Sequence, residues 1–165
     1  PRLRKKSVQK LGLSPGDAVL DIGCGTGLNF PYIMGKIGAS GKIVGVDCCE
    51  EMLLKAKRLV LKKNWKNVKL VLGDAAQAKF PKGSFDGAIA TISLSAIPNH
   101  LAALTHAVHS LKKGKKIVIV DGKKFLFKPF NILLPLLRWN KSWDKEKNII
   151  QDVLREYPAK AVKIE

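Results

Sequence analysis

Short apolar runs alternate with longer amphipathic segments along this chain. The apolar runs predict five β-strands, at residues 18–22, 42–46, 68–72, 85–92 and 116–120. Apolar residues at helical spacing predict α-helices at residues 1–13, 28–37, 50–63 and 100–111. Because the predicted strands are apolar on both faces and helices separate them, we expect an α/β protein with a parallel sheet covered on both sides.

Glycine, proline and basic residues mark where these elements end. Clusters rich in glycine, proline and small polar residues predict turns at residues 14–17, 38–41 and 80–84. Residues 112–114, Lys-Lys-Gly, are expected to form the basic, glycine-terminated end of the last predicted helix.

The two ends of the chain depart from the alternation. Residues 1–13 are basic with a sparse apolar stripe, and we expect their helix to pack on the edge of the sheet. Residues 125–139 carry many large apolar side chains, interrupted by two prolines that argue against one regular helix. We therefore predict a single domain over residues 1–165, in which residues 123–145 form a lid or substrate segment.

Composition limits the class of protein. With 46% hydrophobic residues the chain is globular, and no apolar run reaches the roughly 20 residues that a transmembrane helix needs. No secretory signal is visible, and three cysteines without framework spacing fit a reducing cytosol, so we expect a cytoplasmic protein. The chain does not begin with Met, which is consistent with a fragment.

The net charge of +17 predicts attraction to anions such as nucleic acid, anionic lipid head groups or acidic substrates. A solvated lysine-rich surface, as in thermophile proteins, explains the same charge equally well, since the lysines are scattered along the whole chain. The oligomeric state is not predicted by this composition.

A glycine-rich loop follows the first predicted strand and precedes a predicted helix. Gly23, Gly25 and Gly27 lack a Cβ, so the backbone can turn sharply and a ligand can touch it. A dinucleotide fingerprint, G-x-G-x-x-G, would need a third glycine at Leu28, which disfavours a nicotinamide oxidoreductase. The carboxylate of Asp21 suits a ligand with an ammonium group and suits a pyrophosphate poorly.

Three acids, Asp21, Asp47 and Asp74, end or follow three successive predicted strands. The carboxyl ends of parallel strands meet at one edge of the sheet, so we expect these acids to surround one crevice. Asp47 has the spacing of an acid that accepts from two ribose hydroxyls, although it also fits the start of the next helix. Asp74 fits either a ligand contact or a solvated loop.

Residues 19–27 resemble motif I of the class I methyltransferases that use S-adenosylmethionine (SAM). The resemblance implies a Rossmann-like, doubly wound, mostly parallel sheet, normally of seven strands, and we expect this sequence to stop before the last strand or strands. It also implies SAM as cofactor and S-adenosylhomocysteine as product, with Asp74 and the following amide at the adenine. Met52 is expected on the adenine face or, equally, in the core. The implied cofactor-binding residues are Asp21, Gly23, Cys24, Gly25, Gly27, Asp47, Cys48, Met52, Asp74, Ala75 and Thr91.

Residues 23–30, 80–86 and 94–99 together resemble the ubiquinone/menaquinone and phosphatidylethanolamine-type methyltransferases. This branch implies methyl transfer to a small-molecule or lipid acceptor, either an amine head group or a quinone precursor. An RNA-directed methyltransferase that uses the basic surface and a catalytically silent SAM-binding module remain alternatives. Gly114-Lys115 departs from the double glycine that is frequent before the fifth strand.

The acceptor is expected at the end of the fourth strand. Neither the acid-or-Asn, Pro-Pro and aromatic pattern of base amino-methyltransferases nor the cysteine nucleophile of cytosine-C5 enzymes occurs there. No catalytic base is assigned, which mildly favours an amine acceptor. No metal site is predicted, because the three cysteines lack a fourth ligand at zinc-finger spacing. The candidate substrate residues are Ser93, Ser95, His100 and Phe130.

Residues 125–139 also suggest a place for the acceptor to enter. The segment is apolar and rimmed with Lys, Arg and Trp, a composition typical of an element at a membrane interface. An ordinary lid whose apolar side chains pack on the sheet is the simpler alternative. The interfacial hypothesis predicts a lipid or prenylated quinone precursor delivered from an anionic membrane surface.

Overall fold

The computed structural model describes residues 2–121 of the chain. A short 3₁₀ helix, Leu94–Ala96, follows the fourth strand. The strands are β1 (Ala18–Ile22), β2 (Lys42–Asp47), β3 (Val68–Leu72), β4 (Phe85–Thr91) and β5 (Leu111–Val120). The α-helices are α1 (Arg2–Leu11), α2 (Phe30–Ile37), α3 (Glu50–Lys62) and α4 (His100–Ser110).

The five strands form one parallel sheet in the order β3-β2-β1-β4-β5. Asp21 of β1 pairs in register with Gly45 of β2 on one side and with Ile89 of β4 on the other. The chain order reverses between β1 and β4, and the carboxyl edge at such a reversal is where open α/β sheets bind ligands. The predicted Rossmann-like, doubly wound fold is confirmed.

Two apolar clusters cover the two faces of the sheet. On one face Leu20 and Val46 pack with Ala103 and Ala107 of α4. On the other face Ile43 and Phe30 lie in a cluster that also includes residues of α1 and α3. Because successive strand residues point to opposite faces, one apolar run supplies both clusters, which explains why the strands show no polar face in sequence.

The expected end of the last helix is wrong. Residues 112–114 belong to β5, which begins at Leu111 directly after α4. The pairing shifts there, from Phe85 opposite Leu111 to Gly87 opposite Lys116, and Gly114 takes a positive φ of 78°. The extra residues bulge out of the ladder, as glycine at positive φ permits.

Two partly exposed lysines of this basic run pair with a buried acid on β4. Asp86 of β4 accepts hydrogen bonds from Lys112 Nζ at 2.8 Å and from the amide of Ala18 at 3.1 Å, and Lys115 Nζ lies 3.3 Å away. Burial opposes ionisation of Asp86, but the two lysines and the amide outweigh it and lower the pKa of its carboxyl. Asp86 thus ties together the amino ends of β1, β4 and β5.

Helix α1 packs across β4 and β5, as the sequence predicted. Ser7, Val8 and Leu11 are buried, and a methyl group added to Gly87 would lie 3.1 Å from the side chain of Leu13. No helix among residues 2–121 is long and apolar enough to cross a membrane. The predicted lid at residues 123–145, including Phe130, lies outside the described residues.

Candidate functional site

In the glycine loop after β1, two of the three glycines are packed closely against neighbouring side chains, and the third faces open space. Gly23, Gly25 and Gly27 all have positive φ, of 60°, 54° and 78°. A methyl group added to Gly23 would lie 2.5 Å from Ser93 Cβ, and one added to Gly27 would lie 2.6 Å from the ring of Phe30. At Gly25 an added methyl group would meet nothing within 4 Å. Gly25 is therefore where this loop presents bare backbone to open space.

Asp47 connects the loop to the end of β2. Its Oδ2 accepts from the amide of Gly25 at 2.7 Å, and its Oδ1 accepts from the amide of Cys49 at 2.9 Å, beside the start of α3. The N-cap of α3 is Cys49, so the interpretation of Asp47 as the cap of this helix is wrong. Each carboxylate oxygen of Asp47 retains capacity for a second hydrogen bond. Contact with a ribose stays a prediction.

Asp21 is fully buried beneath the loop. Asn29 Nδ2 donates to both of its oxygens, at 3.0 and 3.1 Å, and lies 3.2 Å from Thr91 Oγ1. Arg4 of α1 donates from Nη1 to Asn29 Oδ1 at 2.9 Å. Burial raises the pKa of Asp21 to about 7, although Asn29 and Arg4 act against that rise. The carboxyl group therefore titrates close to neutral pH.

Sequence reasoning did not identify Asn29 or Arg4 as site residues. Asn29 precedes α2, where an asparagine is typical of helix capping, and yet its side chain makes no capping hydrogen bond. Arg4 is one of several cations on a basic helix, so the sequence offered no signal that distinguishes it.

The third acid, Asp74, begins a turn. Its Oδ1 accepts from the amide of Ala76 at 2.8 Å, and the amide of Gly73 donates to the Asp47 carbonyl at 3.0 Å, so the ends of β2 and β3 are connected. Ala75 is buried in this turn. The structure thus brings Asp74 to the same edge as Asp47, while contact with an adenine stays a prediction.

Exposed apolar side chains lie around this edge. Met52 is 40% exposed in the first turn of α3, so its interpretation as a core residue is wrong. Three more exposed apolar residues lie at this edge: Leu28 after the glycine loop, Leu72 at the end of β3 and Ile92 after β4. We call these three residues and Met52 the apolar rim. Apolar side chains at a crevice suit the flat face of a base or an aromatic ring.

The two cysteines predicted in the site differ. The thiol of Cys24 is buried in the core, where a methyl group added to Gly45 would lie 2.8 Å from its sulfur. The expectation that this thiol flanks the crevice is wrong, because the tight turn directs the side chain back onto β2. Burial, with Asp21 and Asp47, raises the pKa of Cys24.

Cys48 is exposed directly after β2, as expected. Partial burial and the neighbouring Asp47 raise the pKa of its thiol. Among residues 2–121, no group of three or more His, Cys, Asp and Glu side chains is arranged to hold a metal ion.

The serines after β4 hold the loops together. Ser93 Oγ donates to the Ile22 carbonyl at 2.7 Å, and Ser95 donates from its amide and its hydroxyl to Asp121, at 3.0 and 2.7 Å. His100 is buried at the start of α4. The carboxyl ends of parallel strands leave backbone groups that need partners, and these side chains supply them. Contact of Ser93, Ser95 or His100 with an acceptor stays a prediction.

Ile92 is the exposed large apolar residue of this stretch, and its position in the sequence predicted it to be the last residue of the strand. Its φ of +54° is rare for a β-branched residue, and its amide donates to the Val120 carbonyl at 2.6 Å. The strained backbone turns the side chain away from the sheet, and 53% of it is exposed. Strain of this kind concentrates at functional sites.

The edge therefore combines buried and half-buried acids, bare backbone at Gly25 and an apolar rim. Acids suit the ammonium and sulfonium groups of a cationic ligand and the hydroxyls of a ribose, whereas they repel phosphate. The apolar rim suits a base or an aromatic acceptor. This combination of carboxylates, open backbone and apolar surface fits SAM.

A family model described as a methyltransferase domain matches residues 19–114. Over 118 residues the chain is 33% identical to a demethylmenaquinone methyltransferase of Lactococcus lactis, a match that covers 72% of this chain and 47% of the relative. Over 122 residues it is 37% identical to a 2-phytyl-1,4-naphtoquinone methyltransferase of Synechocystis, covering 70% and 49%. The chain thus spans about half the length of these two curated relatives.

A SAM-dependent methyltransferase from Aquifex aeolicus has a similar solved structure. The two chains superpose with a TM-score of 0.67 at 25% sequence identity, covering 81% of this chain and 77% of the other. The similarity extends beyond the glycine loop to the arrangement of the whole sheet.

Proposed function

We propose, for a chain that belongs to the class I SAM-dependent methyltransferases, that it transfers a methyl group from SAM to a quinone precursor. The observation that carries the cofactor site is Gly25, whose backbone faces open space while Asp47 holds its amide. The acceptor class is supported by the relatives of this chain, two of which are named for naphthoquinone-type acceptors.

In this proposal each acid at the carboxyl edge recognises a different part of SAM. Asp21, beneath the loop, provides negative potential for the amino acid end and the sulfonium. Asp47 accepts from the ribose hydroxyls, and the turn at Asp74 and Ala75 receives the adenine, with Met52 against one face of the ring. The bare backbone at Gly25 lets the ligand approach more closely than any side chain would allow.

SAM supplies a methyl group that is already activated on a sulfonium. The protein then needs to align donor and acceptor in line and to exclude water. Ile92, exposed at the end of β4, gives the acceptor an apolar surface beside the cofactor loop. A carbon acceptor must also lose a proton, and the described residues assign no base for that step.

The cofactor site is tested with a pair of glycine variants. Gly25 and Gly83 both have positive φ, 54° and 67°, and at both an added methyl group meets nothing within 4 Å. Alanine at either position therefore costs a similar, small strain of about 1–2 kcal/mol. Gly25→Ala should abolish SAM binding measured by calorimetry, whereas Gly83→Ala, in the turn before β4, should leave it unchanged.

Asp47→Ala provides an independent test of the same site. It removes a ribose acceptor and frees the Gly25 amide, so SAM affinity should fall at least about tenfold, the cost of one charge-assisted hydrogen bond. Circular dichroism checks that the fold is retained. Normal SAM binding by both Gly25→Ala and Asp47→Ala would remove the loop from the cofactor site.

The acceptor is tested by transfer of labelled methyl from SAM. A reduced demethylated naphthoquinone should accept label, while phosphoethanolamine and RNA should not. Label in RNA alone would favour the basic surface as a nucleic-acid site. SAM binding without transfer to any acceptor would favour a catalytically silent module.

A prenylated acceptor resides in a membrane, and we infer that the chain meets it at an anionic surface. The net charge of +17 supports this, as does the apolar, cation-rimmed segment 125–139. Sedimentation with vesicles should increase with the fraction of anionic lipid and decrease in the double variant Phe130→Asp, Leu134→Asp. Equal sedimentation with neutral and anionic vesicles would contradict the inference.

A further inference from the structure

Helix α1 reaches the cofactor loop through one side chain. Arg4 donates to Asn29 Oδ1 at 2.9 Å, so the amide oxygen of Asn29 points at α1 and its NH₂ group points inward. The NH₂ group then donates to both oxygens of Asp21, at 3.0 and 3.1 Å, and lies 3.2 Å from Thr91 Oγ1. A cation on α1 is thereby connected to the ends of β1 and β4.

We propose that Arg4 and Asn29 are positioning residues for the cofactor, through which helix α1 keeps Asp21 charged and correctly oriented beneath the SAM loop. This inference rests on the proposed function. It assigns a role in cofactor binding to an N-terminal helix that lies before the matched family domain, residues 19–114.

The geometry gives Arg4 two effects on Asp21. Because an amide has one acceptor oxygen and one donor NH₂ group, a donor at Oδ1 fixes which end of Asn29 faces Asp21. The positive charge of the half-buried Arg4 also favours the ionised carboxylate of Asp21. Without Arg4, Asn29 keeps its donors to Asp21, but its Oδ1 retains only the 3.5 Å contact with Thr91 Oγ1, so its orientation is held less firmly. The buried carboxyl then keeps its proton more readily.

The other charged and titratable groups near Asp21 do not replace Arg4. Asp47, from β2, is negative and opposes ionisation of Asp21. Cys24, from the loop, has a raised pKa and stays neutral. Asn29 and Thr91 are neutral hydrogen-bonding groups. Burial raises the pKa of Asp21 to about 7, so a modest change in its surroundings alters the charged fraction at physiological pH.

A ligand series separates this role from a general effect on the fold. SAM carries two cationic groups, an ammonium and a sulfonium, S-adenosylhomocysteine has only the ammonium as a cation, and 5′-methylthioadenosine has neither. The first two ligands also share an amino acid carboxylate. A charge beneath the loop should matter for the first two ligands and hardly for the third. All three share the adenosine that Asp47, Asp74 and Met52 are proposed to bind.

The experiment measures the affinity of these three ligands by calorimetry between pH 6 and pH 8.5. Arg4→Gln should weaken SAM and S-adenosylhomocysteine at pH 7 by at least about fivefold, the lower end of ordinary coupling between sites. Methylthioadenosine should bind within about twofold of wild type. The pH midpoint of SAM binding should move upward, because Asp21 is harder to ionise.

Two further variants complete the test. Lys6→Gln removes an equal charge from an exposed position on α1 and should change none of the affinities. Arg4→Lys keeps the cation and should restore most of the SAM affinity and the pH midpoint. Thermal melting of each variant checks that α1 remains docked.

Three outcomes would overturn the inference, and they differ from failure of the proposed function. Wild-type affinity of Arg4→Gln for SAM, an equal loss of all three ligands, or an unmoved pH midpoint would each reduce Arg4 to a structural residue. A wild-type chain that binds none of the three ligands would instead overturn the cofactor site itself.

Discussion

Two buried aspartates on neighbouring strands have opposite electrostatic environments. Asp86, at the amino end of β4, has Lys112 and Lys115 beside it, and its pKa is lowered. Asp21, at the carboxyl end of β1, is held by the neutral amide of Asn29, and burial raises its pKa to about 7. At the amino end of the sheet the ionised carboxylate of Asp86 is stabilised by its partners. At the carboxyl end, ionisation of Asp21 lowers the stability of the fold.

The backbone differs between the two ends in where it is strained. Residues with positive φ occur at both ends, but at the amino end they are glycines and Asn64, which tolerate it, whereas at the carboxyl end the β-branched Ile92 has a φ of 54°. Also at the amino end, the side-chain Nδ2 of Asn67 donates to the carbonyls of Gly38 and Gly41, at 3.1 and 2.7 Å, and completes ordinary loop hydrogen bonding. Proteins keep strain and perturbed pKa values where they bind or react, because those features cost stability elsewhere.

The largest expected effect is a loss of stability from a substitution at the amino end of the sheet. Asp86→Ala removes the acceptor for the Ala18 amide and for Lys112, so the free energy of unfolding at pH 7 should fall by about 2–3 kcal/mol. Urea denaturation measures it, with Lys113→Ala as an exposed control on β5.

The sign of the pH dependence follows from the lowered pKa. A carboxyl whose folded pKa lies below its unfolded value stabilises the fold above about pH 4 and loses that contribution as pH falls through the folded pKa. The difference between wild type and Asp86→Ala should therefore shrink in acid. A difference that stays constant down to pH 3 would show that the ion pair is not its cause.

Asp21→Asn should have the opposite sign. The folded pKa of about 7 lies above the unfolded value, so ionised Asp21 destabilises the fold as pH rises from about 4 to above 7. At pH 8 the asparagine variant should be more stable by about 1–2 kcal/mol, less than the raised pKa alone implies because its amide lacks a good acceptor. At pH 4 Asp21 is protonated in the folded protein and this gain is absent, so the asparagine variant should be slightly less stable than wild type, because the cost of its amide remains.

The same variant should bind SAM more weakly, which makes the comparison between the two ends specific. A variant that becomes more stable and binds SAM more weakly is the trade-off expected when a functional group destabilises the fold. Thermal melting at both pH values and calorimetry with SAM measure the two effects. Equal stability at pH 8 would indicate that Asp21 is protonated there or better solvated than its burial implies.

Most of the fold was predictable because the spacing of apolar and polar residues along the chain determines its helices and strands. The bounds of β1 agree with its apolar run, and α3 ends within one residue of its prediction. The exception is residues 112–114, where local sequence favoured a helix end. In β5, Lys112 pairs with Asp86, which lies 26 residues earlier in the chain. A pattern of neighbouring residues cannot reveal so distant a partner.

The site was predicted in outline for a similar reason. Acids after successive strands meet at one edge by topology alone, so Asp47 and Asp74 were predictable. The side-chain directions of Cys24 and Ile92 depend on tight turns whose dihedral angles the sequence does not specify. The hydrogen bonds of Asn29 likewise depend on how α1 docks.

The smallest expected effect separates two layers of the carboxyl end, the exposed thiol of Cys48 and the buried thiol of Cys24. In a Cys49→Ser background, a thiol reagent should modify Cys48 slowly at pH 7 and faster as pH rises, because its pKa is raised. Cys24 should react only when the core opens.

SAM at about ten times its Kd leaves about a tenth of the protein free, so modification of Cys48 should slow by up to about tenfold. Asp86→Ala should accelerate Cys24 and leave Cys48 unchanged, since only the buried thiol reports on stability. Mass spectrometry of timed samples resolves the two sites, and equal rates for both thiols in the native protein would contradict this arrangement.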